Sequence, residues 1–441
     1  MKNFSILLVL IFTGLTAWSQ ELNTQKLDKL FDSLYHYNKF MGSVAIAQKG
    51  EVIYTKSVGF ESISNGKKAN TQTKYGIGSI SKTFTSVLTH MAIENGLLSL
   101  ETPLSKFYPK IKHSEKINIS MLLNHRSGIH NFTNDYEEYM SYNTQAKSED
   151  EMIKIIRKGG SEFKPDSKAQ YSNSNYVLLS FILEKVYKQS YADLIQKRIC
   201  NPLNLKNTLV RPSSGKCENC ASSYGRSNDW DKSTVTHSSV PLGAGAIIST
   251  PSDLTKFSHA LFHGDLVSKK SLESMMTLKD NYGKGLFSFP FEDKKSYGHT
   301  GGIDGFSSIF GDFVDQDYSF ALISNGLNYD LNQIGILALS ELFGKDWEIP
   351  NLATAEVESN ILEKYVGKYE SSVLPIDIEI MLSDDGVLYA QGSGQPKFPL
   401  EAKSDTRFVF TQAGVEFNFA KDGSGFEMEQ GGQVFGFIKK K

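Results

Sequence analysis

Serine and lysine recur three residues apart in this 441-residue chain, in Ser-x-x-Lys tetrads that start at Ser64, Ser79, Ser161 and Ser213. An unactivated serine hydroxyl is a weak nucleophile and needs a neighbouring base. A lysine amine becomes such a base when burial disfavours its charged form. On a helix, residues three apart have Cβ atoms roughly 5–6 Å from each other, so the two groups can meet. A tetrad at a helix start could therefore carry out nucleophilic acyl transfer.

Of the four tetrads, the one formed by Ser79 and Lys82 has the surroundings that this chemistry needs. Apolar residues follow it at the i, i+3, i+4, i+7 spacing of one helix face, and Gly96 supplies a stop; these residues are Phe84, Val87, Leu88 and Met91. No charged residue lies between Lys82 and Glu94, which predicts a helix buried on several sides and a partly desolvated Lys82. In the alternative interpretation, Ser79 only caps the helix and Lys82 extends into solvent.

Two further motifs follow in order, Tyr171-Ser172-Asn173 and His299-Thr300-Gly301. With the Ser79 tetrad they make the chain resemble the serine β-lactamase and penicillin-binding protein family, nearest to its class C β-lactamase and DD-carboxypeptidase-like branch. The resemblance covers residues 25–345 and includes segments 122–128, 176–179, 201–203 and 243–250.

The family implies an α+β fold in which both ends of the domain form an antiparallel sheet flanked by helices, with a helical region inserted between them. The sequence agrees with this fold. Residues 43–59 alternate through a turn at Lys49-Gly50-Glu51, and residues 297–324 contain three runs typical of strands.

The resemblance also implies catalytic roles for individual residues. Ser79 would be the nucleophile, and Tyr171 would share proton transfer with Lys82, as base during acylation and as acid toward the leaving group. The backbone N–H groups of Ser79 and Gly302 would form the oxyanion hole. Taken alone, Tyr171 could equally be a core tyrosine at the end of a loop.

Substrate binding is assigned by the same resemblance to Asn173, His299, Thr300 and Gly301. Asn173 would hold the amide of the substrate and help fix Lys82, and glycine at 301 and 302 would let a substrate lie along the strand. Many relatives carry lysine where this chain has His299. A largely neutral histidine implies weaker recognition of a substrate carboxylate, unless an arginine from elsewhere in the fold supplies the charge. Alone, His299 could be a hydrogen-bonded strand histidine.

Other catalytic schemes fit the sequence less well. It contains no Gly-x-Ser-x-Gly elbow, no His-Glu-x-x-His pair and no nucleotide-binding loop after a strand, so we expect no cofactor and no metal. Its 47 basic and 49 acidic residues are evenly mixed, which argues against a nucleic-acid partner. The expected partner is a small-molecule or peptide substrate.

The N-terminus has the pattern of an export signal over residues 1–20. Lys2 precedes an apolar run from Ile6 to Leu15, and the small residues Ala17 and Ser19 suit signal peptidase. The alternative is a membrane anchor, but the run is shorter than the roughly 20 residues that a spanning helix needs. We therefore predict a periplasmic or secreted protein with no membrane span after signal cleavage.

Three cysteines follow the predicted signal, and their state is open. Cys217 and Cys220 could form a local disulfide in an oxidising compartment and leave Cys200 buried and free. Alternatively, all three are unpaired thiols in or near a surface loop.

The pattern changes after residue 345, where we place the end of a hydrolase domain spanning 21–345. Residues 346–360 have the composition of a linker, and 361–441 contain short alternating runs broken by Asp- and Gly-rich turns. This predicts a small antiparallel β-barrel, which resembles the lipocalin-like modules behind some β-lactamase-related domains. Its role could be structural support, or it could bind substrate and cover the active-site mouth.

Three functions remain from the sequence alone. The first is a hydrolase that acylates Ser79 with an amide, peptide, lactam or ester and then deacylates with water. The second is a penicillin-binding or sensor protein with little turnover, and the third is a non-catalytic scaffold. The presence of Ser79, Lys82 and Tyr171 argues against the scaffold. Residues 131–136 and 211–240 are predicted to contribute pocket loops.

Overall fold

The structure is a computed structural model that describes residues 22–226, 229–264 and 266–440. Helices packed against an antiparallel sheet account for the chain up to Leu342, and a second antiparallel sheet accounts for the C-terminal part. The predicted α+β fold followed by a small barrel-like β domain is confirmed.

The helices are, in chain order, α1 (Thr24–His36), α2 (Ser81–Glu94), α3 (Ile119–Leu123), α4 (Tyr136–Tyr142), α5 (Glu149–Gly159), α6 (Asn173–Tyr187), α7 (Tyr191–Ile195), α8 (Pro251–Phe262), α9 (Lys269–Met276), α10 (Leu331–Leu342) and α11 (Ser359–Tyr365). The strands of the N-terminal part are β1 (Phe40–Gln48), β2 (Glu51–Val58), β3 (Phe60–Ser62), β4 (Lys67–Lys68), β5 (Tyr75–Gly76), β6 (Leu209–Val210), β7 (Tyr224–Arg226), β8 (Trp230–Lys232), β9 (Ile247–Ser249), β10 (Phe287–Phe291), β11 (Lys294–Ile303), β12 (Phe306–Phe313) and β13 (Tyr318–Leu327).

The principal sheet joins the two ends of this part of the chain, as the sequence predicts. Its order is β10-β11-β12-β13-β1-β2, and β1 pairs antiparallel with β13 from Phe40 opposite Leu327 to Gln48 opposite Tyr318. The β1–β2 hairpin turns at Lys49 and Gly50, both with positive φ, a combination that matches the right-handed twist of the flanking strands. Strand β11, which carries His299, belongs to this sheet and is separated from β13 only by β12.

Helix α2 lies in the middle of the larger core, buried on most of its surface. Phe84 on α2 stacks on Phe257 of α8 with ring centroids 3.8 Å apart, and Phe257 in turn contacts Phe310 of β12. A layer of aromatic side chains thus fixes α2 relative to the sheet. The predicted burial of this helix on several sides is confirmed, and its predicted stop is too, since α2 ends at Glu94 and Gly96 has φ +70°.

The C-terminal sheet contains β14 (Gly367–Glu370), β15 (Asp377–Leu382), β16 (Leu388–Gly392), β17 (Phe398–Pro399), β18 (Glu401–Ala402), β19 (Arg407–Phe410), β20 (Val415–Phe419), β21 (Gly425–Gln430) and β22 (Gln433–Lys439). Its edge strands are β17 and β18, which only Leu400 separates in the chain. The two edges therefore meet, and the sheet curls into a nearly closed barrel around its own aromatic core. The domain boundaries and the lipocalin-like resemblance stay predictions.

The barrel contacts the N-terminal part where β1 begins and β13 ends. The buried ammonium of Lys39 donates to the carboxylate of Glu401 on β18, and Asn328 Nδ2 donates to the same carboxylate at 2.9 Å. Removing one partner of such a buried ion pair leaves the charge of the other partner buried and uncompensated, which destabilises the fold. This pair therefore joins the two parts of the chain.

Cys217 and Cys220 form a disulfide, and Cys200 is buried and free, the first of the two alternatives that the sequence leaves open. The predicted export signal falls outside the described residues, and so stays a prediction. Within the described ranges, every helix is too short or too polar to cross a membrane.

Candidate active site

Ser79 lies in a tight 3-10 turn, Gly78–Ile80, that leads directly into α2. Gly78 has φ +48°, and a Cβ atom there would lie 2.7 Å from the backbone nitrogen of Gly302 on β11. Only glycine allows this approach. The absence of a side chain at 78 thus brings the Ser79 turn and the backbone of Gly302 together, as an oxyanion hole built from both would require.

Lys82 is fully buried, one helical turn after Ser79. Its Nζ lies 2.9 Å from Ser79 Oγ and donates to the carbonyl oxygen of Ala244 at 2.7 Å. No carboxylate in the described part of the chain forms an ion pair with it. Burial without a counter-ion holds the pKa of Lys82 well below its usual value. A neutral amine within hydrogen-bond reach of a serine hydroxyl can accept its proton.

Tyr171 lies on the other side of Lys82. Its ring centroid is 4.9 Å from Lys82 Nζ, and its hydroxyl interacts with Ser79. Burial raises the pKa of Tyr171 above its usual value, and the interaction with Ser79 lowers it only in part. At neutral pH, therefore, Tyr171 is a phenol that can donate a proton, beside a lysine that can accept one. The structure brings the three predicted catalytic side chains together.

His125 also belongs to this cluster, although sequence reasoning gave it no role. Its ring stacks on Tyr171 with centroids 4.4 Å apart, and its Nδ1 accepts a hydrogen bond from the backbone N–H of Ser172 at 3.1 Å. Burial, together with Lys82 and His299, holds its pKa well below the usual range, so His125 is neutral. It fixes the position of Tyr171. His125 lies in segment 122–128 of the resemblance, but no spacing rule connects it to Tyr171.

Strand β11 differs in detail from what the resemblance implied. His299 is only 2 % exposed, and its ring lies 6.5 Å from that of Tyr171. Burial and Lys82 lower its pKa to about 3. His299 is therefore a neutral side chain beneath the site. It does not line the cleft described below, and neither do Thr300 and Gly301, so their predicted contact with substrate stays a prediction.

Gly301 and Gly302 of β11 differ in what a side chain at each position would meet. A Cβ at Gly301 would lie 2.0 Å from the carbonyl oxygen of Ile77, so packing against the segment before Ser79 requires glycine there. A Cβ at Gly302 would have open space, and Gly302 lines the cleft. Packing thus explains the glycine at 301, and the expectation that both glycines let a substrate lie along the strand stays a prediction.

Asn173 begins α6 and lines the cleft with Ser79. Its Nδ2 donates to Thr133 Oγ1 at 3.0 Å, and its backbone N–H donates to Asn131 at 3.0 Å. The hydrogen bonds of Lys82 go to Ser79 and Ala244 instead, so the expected support of Lys82 by Asn173 is not formed. Its predicted contact with substrate is compatible with this position and stays a prediction.

A cleft of about 510 Å³ opens above Ser79 and Gly302. Both predicted pocket loops contribute to its walls, through Phe132, Thr133, Tyr136, Ser233, Thr234 and Thr236. Tyr139 of α4, Ile303 at the end of β11 and Asp304 in the following turn line it as well. None of the barrel residues that the structure describes, up to Lys440, lines it. This volume and the mixture of apolar and polar walls suit a small acyl substrate.

In the described ranges, one group of side chains has the geometry of a metal site. His259, His263 and Asp317 each offer a ligand atom, all within 4.8 Å of one another. His263 Nε2 already lies 2.8 Å from Asp312 Oδ1. This cluster joins α8 to the β12–β13 turn and lines no part of the cleft.

A family model described as Beta-lactamase matches residues 27–338. The chain belongs to the β-lactamase family. Penicillin-binding protein 4* of Bacillus subtilis is 27 % identical over 427 residues, which cover 89 % of this chain and 93 % of the relative. Teichoic acid D-alanine hydrolase of Staphylococcus aureus is 27 % identical over 293 residues, 65 % of this chain and 70 % of the relative.

Among solved structures, the octameric penicillin-binding protein homologue from Pyrococcus abyssi superposes with a TM-score of 0.66 at 25 % identity, over 95 % of this chain and all of the other. This chain is a serine hydrolase of the β-lactamase family. The comparisons thus support the enzymatic alternatives over the scaffold.

Proposed function

We propose that the protein is an exported hydrolase that forms an acyl-enzyme on Ser79 and cleaves an amide, peptide or ester bond of a small acyl substrate. The observation that carries this proposal is the buried Lys82, which lacks a counter-ion and lies 2.9 Å from Ser79 Oγ. The relatives named for penicillin binding and for D-alanine hydrolysis support an acyl substrate of this kind.

Acylation begins when Ser79 Oγ attacks the carbonyl carbon of the substrate and its proton passes to Lys82 Nζ. The negative oxygen that develops is stabilised by the backbone N–H groups of Ser79 and Gly302, at about 3–4 kcal/mol per donor. Tyr171, protonated at neutral pH, gives its proton to the leaving group, and Lys82 restores it. Water then attacks the acyl-enzyme and releases the acid, with the same groups moving the proton in reverse.

A penicillin-binding protein with little turnover is the second candidate, because a relative that this chain matches over 93 % of its length carries that name. The two candidates share acylation and differ in deacylation. Steady-state and burst kinetics on a small activated ester separate them: we expect turnover in the wild type and none in Ser79→Ala. A burst of one equivalent without turnover would favour the penicillin-binding protein, and equal turnover by both proteins would contradict the proposal.

A further inference from the structure

Asp304 stands out among the residues that line the cleft above Ser79. Of the described residues in its walls, it is the one with a formal charge at neutral pH, and the others are neutral polar, aromatic or aliphatic. It lies in the turn between β11 and β12, two residues after Gly302, with φ +55°. The substrate therefore meets a single carboxylate next to the strand that holds its carbonyl oxygen.

The carboxylate is held in place on one side only. Thr236 donates to Asp304 Oδ1 from its backbone N–H at 3.0 Å and from its hydroxyl at 2.7 Å. The described residues give Oδ2 no hydrogen bond and form no ion pair with this side chain. Asp304 is exposed as a residue. One oxygen is thus fixed by the opposite wall, and the other is free to bind a ligand.

Burial raises the pKa of Asp304, and the hydrogen bonds from Thr236 and the charge of Arg211, which lies behind the wall, oppose that effect only in part. Arg211 lines a small void of about 10 Å³ together with Asp304 and Ile303, but it does not line the cleft itself. Its guanidinium lies 5.4 Å from the ring centroid of Phe306. Arg211 therefore offsets part of the charge without occupying the place of a substrate cation.

We propose that Asp304 binds an ammonium group on the acyl part of the substrate, so that the preferred substrates are amides or esters of amino acids with a free amino group. This inference rests on the proposed function. The aromatic rings of Tyr136 and Tyr139 in the same cleft suit a cation as well. A substrate carboxylate would meet Asp304 instead of a lysine or arginine, and repulsion would weaken its binding.

A purely structural role for Asp304, as the anchor of the segment that contains Thr236, predicts a different result from substitution. Asp304→Asn keeps the Oδ1 acceptor for both Thr236 bonds and removes only the charge. If the anchor alone matters, this variant behaves like the wild type on every substrate. If the charge binds an ammonium, it loses only the substrates that carry one.

The experiment compares D-alanyl, N-acetyl-D-alanyl and propionyl p-nitroanilides, which differ in the charge at one position. We expect the wild type to have at least 10-fold higher kcat/KM on the D-alanyl compound. Asp304→Asn should lower that preference by 10- to 100-fold and leave kcat/KM on the two neutral compounds within twofold. Asp150→Asn, on the exposed side of α5, is the matched control and should change nothing.

Each other outcome has a defined meaning. A wild type that cleaves the neutral anilides as well as the D-alanyl one, or a preference unchanged in Asp304→Asn, would overturn the ammonium site and leave the proposed function standing. An equal loss on all three compounds would assign Asp304 the anchoring role alone. A wild type inactive on the three anilides but active on the small activated ester would overturn this inference alone, and inactivity on all four compounds would contradict the proposed function as well.

Discussion

Replacing Lys82 with methionine should change stability and activity in ways that only a neutral buried lysine can produce. Lys82 is fully buried, and its hydrogen bonds reach Ser79 and Ala244 but no carboxylate. In the unfolded chain its pKa is about 10.4, and in the folded protein it lies well below that value. Between the two values the unfolded state binds one proton more than the folded state, so folding becomes more favourable as pH rises.

The size of this pH dependence follows from the difference of one bound proton between the unfolded and folded states. The free energy of unfolding of the wild type, minus that of Lys82→Met, should rise by about 1.4 kcal/mol per pH unit from pH 8 toward pH 10. Methionine has a similar length and no charge, so it removes the titration and little volume. The variant should also lose kcat by about 10²–10⁴-fold, the usual contribution of a general base.

Urea denaturation at pH 8, 9 and 10 measures the stability difference, and ester hydrolysis measures kcat. Lys110→Met is the matched control, because it removes the same charge from an exposed position. A flat difference for Lys82→Met would show that Lys82 is protonated in both states. That result would refute the neutral base, whatever happened to the activity.

Two further substitutions and one truncation test the supporting geometry. Gly78→Ala should lower kcat on a small ester by about 10²–10³-fold, because its Cβ would push the backbone of Gly302 away; unchanged kcat would contradict the shared oxyanion hole. His125→Phe keeps a ring against Tyr171 but loses the acceptor for the next backbone N–H, so kcat should fall about 10- to 100-fold at similar KM, and full kcat would remove its positioning role. A chain that ends at Gly344 should keep near full kcat on small esters while its melting temperature falls, and a folded but inactive product would mean that the barrel contributes to the site.

The parts of the fold that the sequence predicts are those that local patterns determine. The i, i+3, i+4, i+7 stripe after Lys82 defines α2, and strict alternation with Lys49 and Gly50 defines the β1–β2 hairpin. Spacing alone also places Ser79 within reach of Lys82, because three residues make less than one helical turn.

The features that the sequence does not predict depend on contacts between distant segments. His125 reaches Tyr171 only because two loops meet, and Asp304 enters the cleft because its turn contacts Thr236. The burial of His299 could not be predicted for the same reason. Alternation gives the face of β11 on which it lies, but only the packed structure shows that this face is covered by Tyr171 and Phe287.

The central claim is that Ser79 becomes acylated, and intact-mass spectrometry with a fluorophosphonate or a penicillin tests it directly. Peptide mapping should place a single adduct on the peptide that contains Ser79, with none in the folded Ser79→Ala variant. Ser64→Ala is the matched control, since Ser64 begins another Ser-x-x-Lys tetrad and should leave labelling unchanged. An adduct on any other residue, or equal labelling of wild type and Ser79→Ala, would contradict the account.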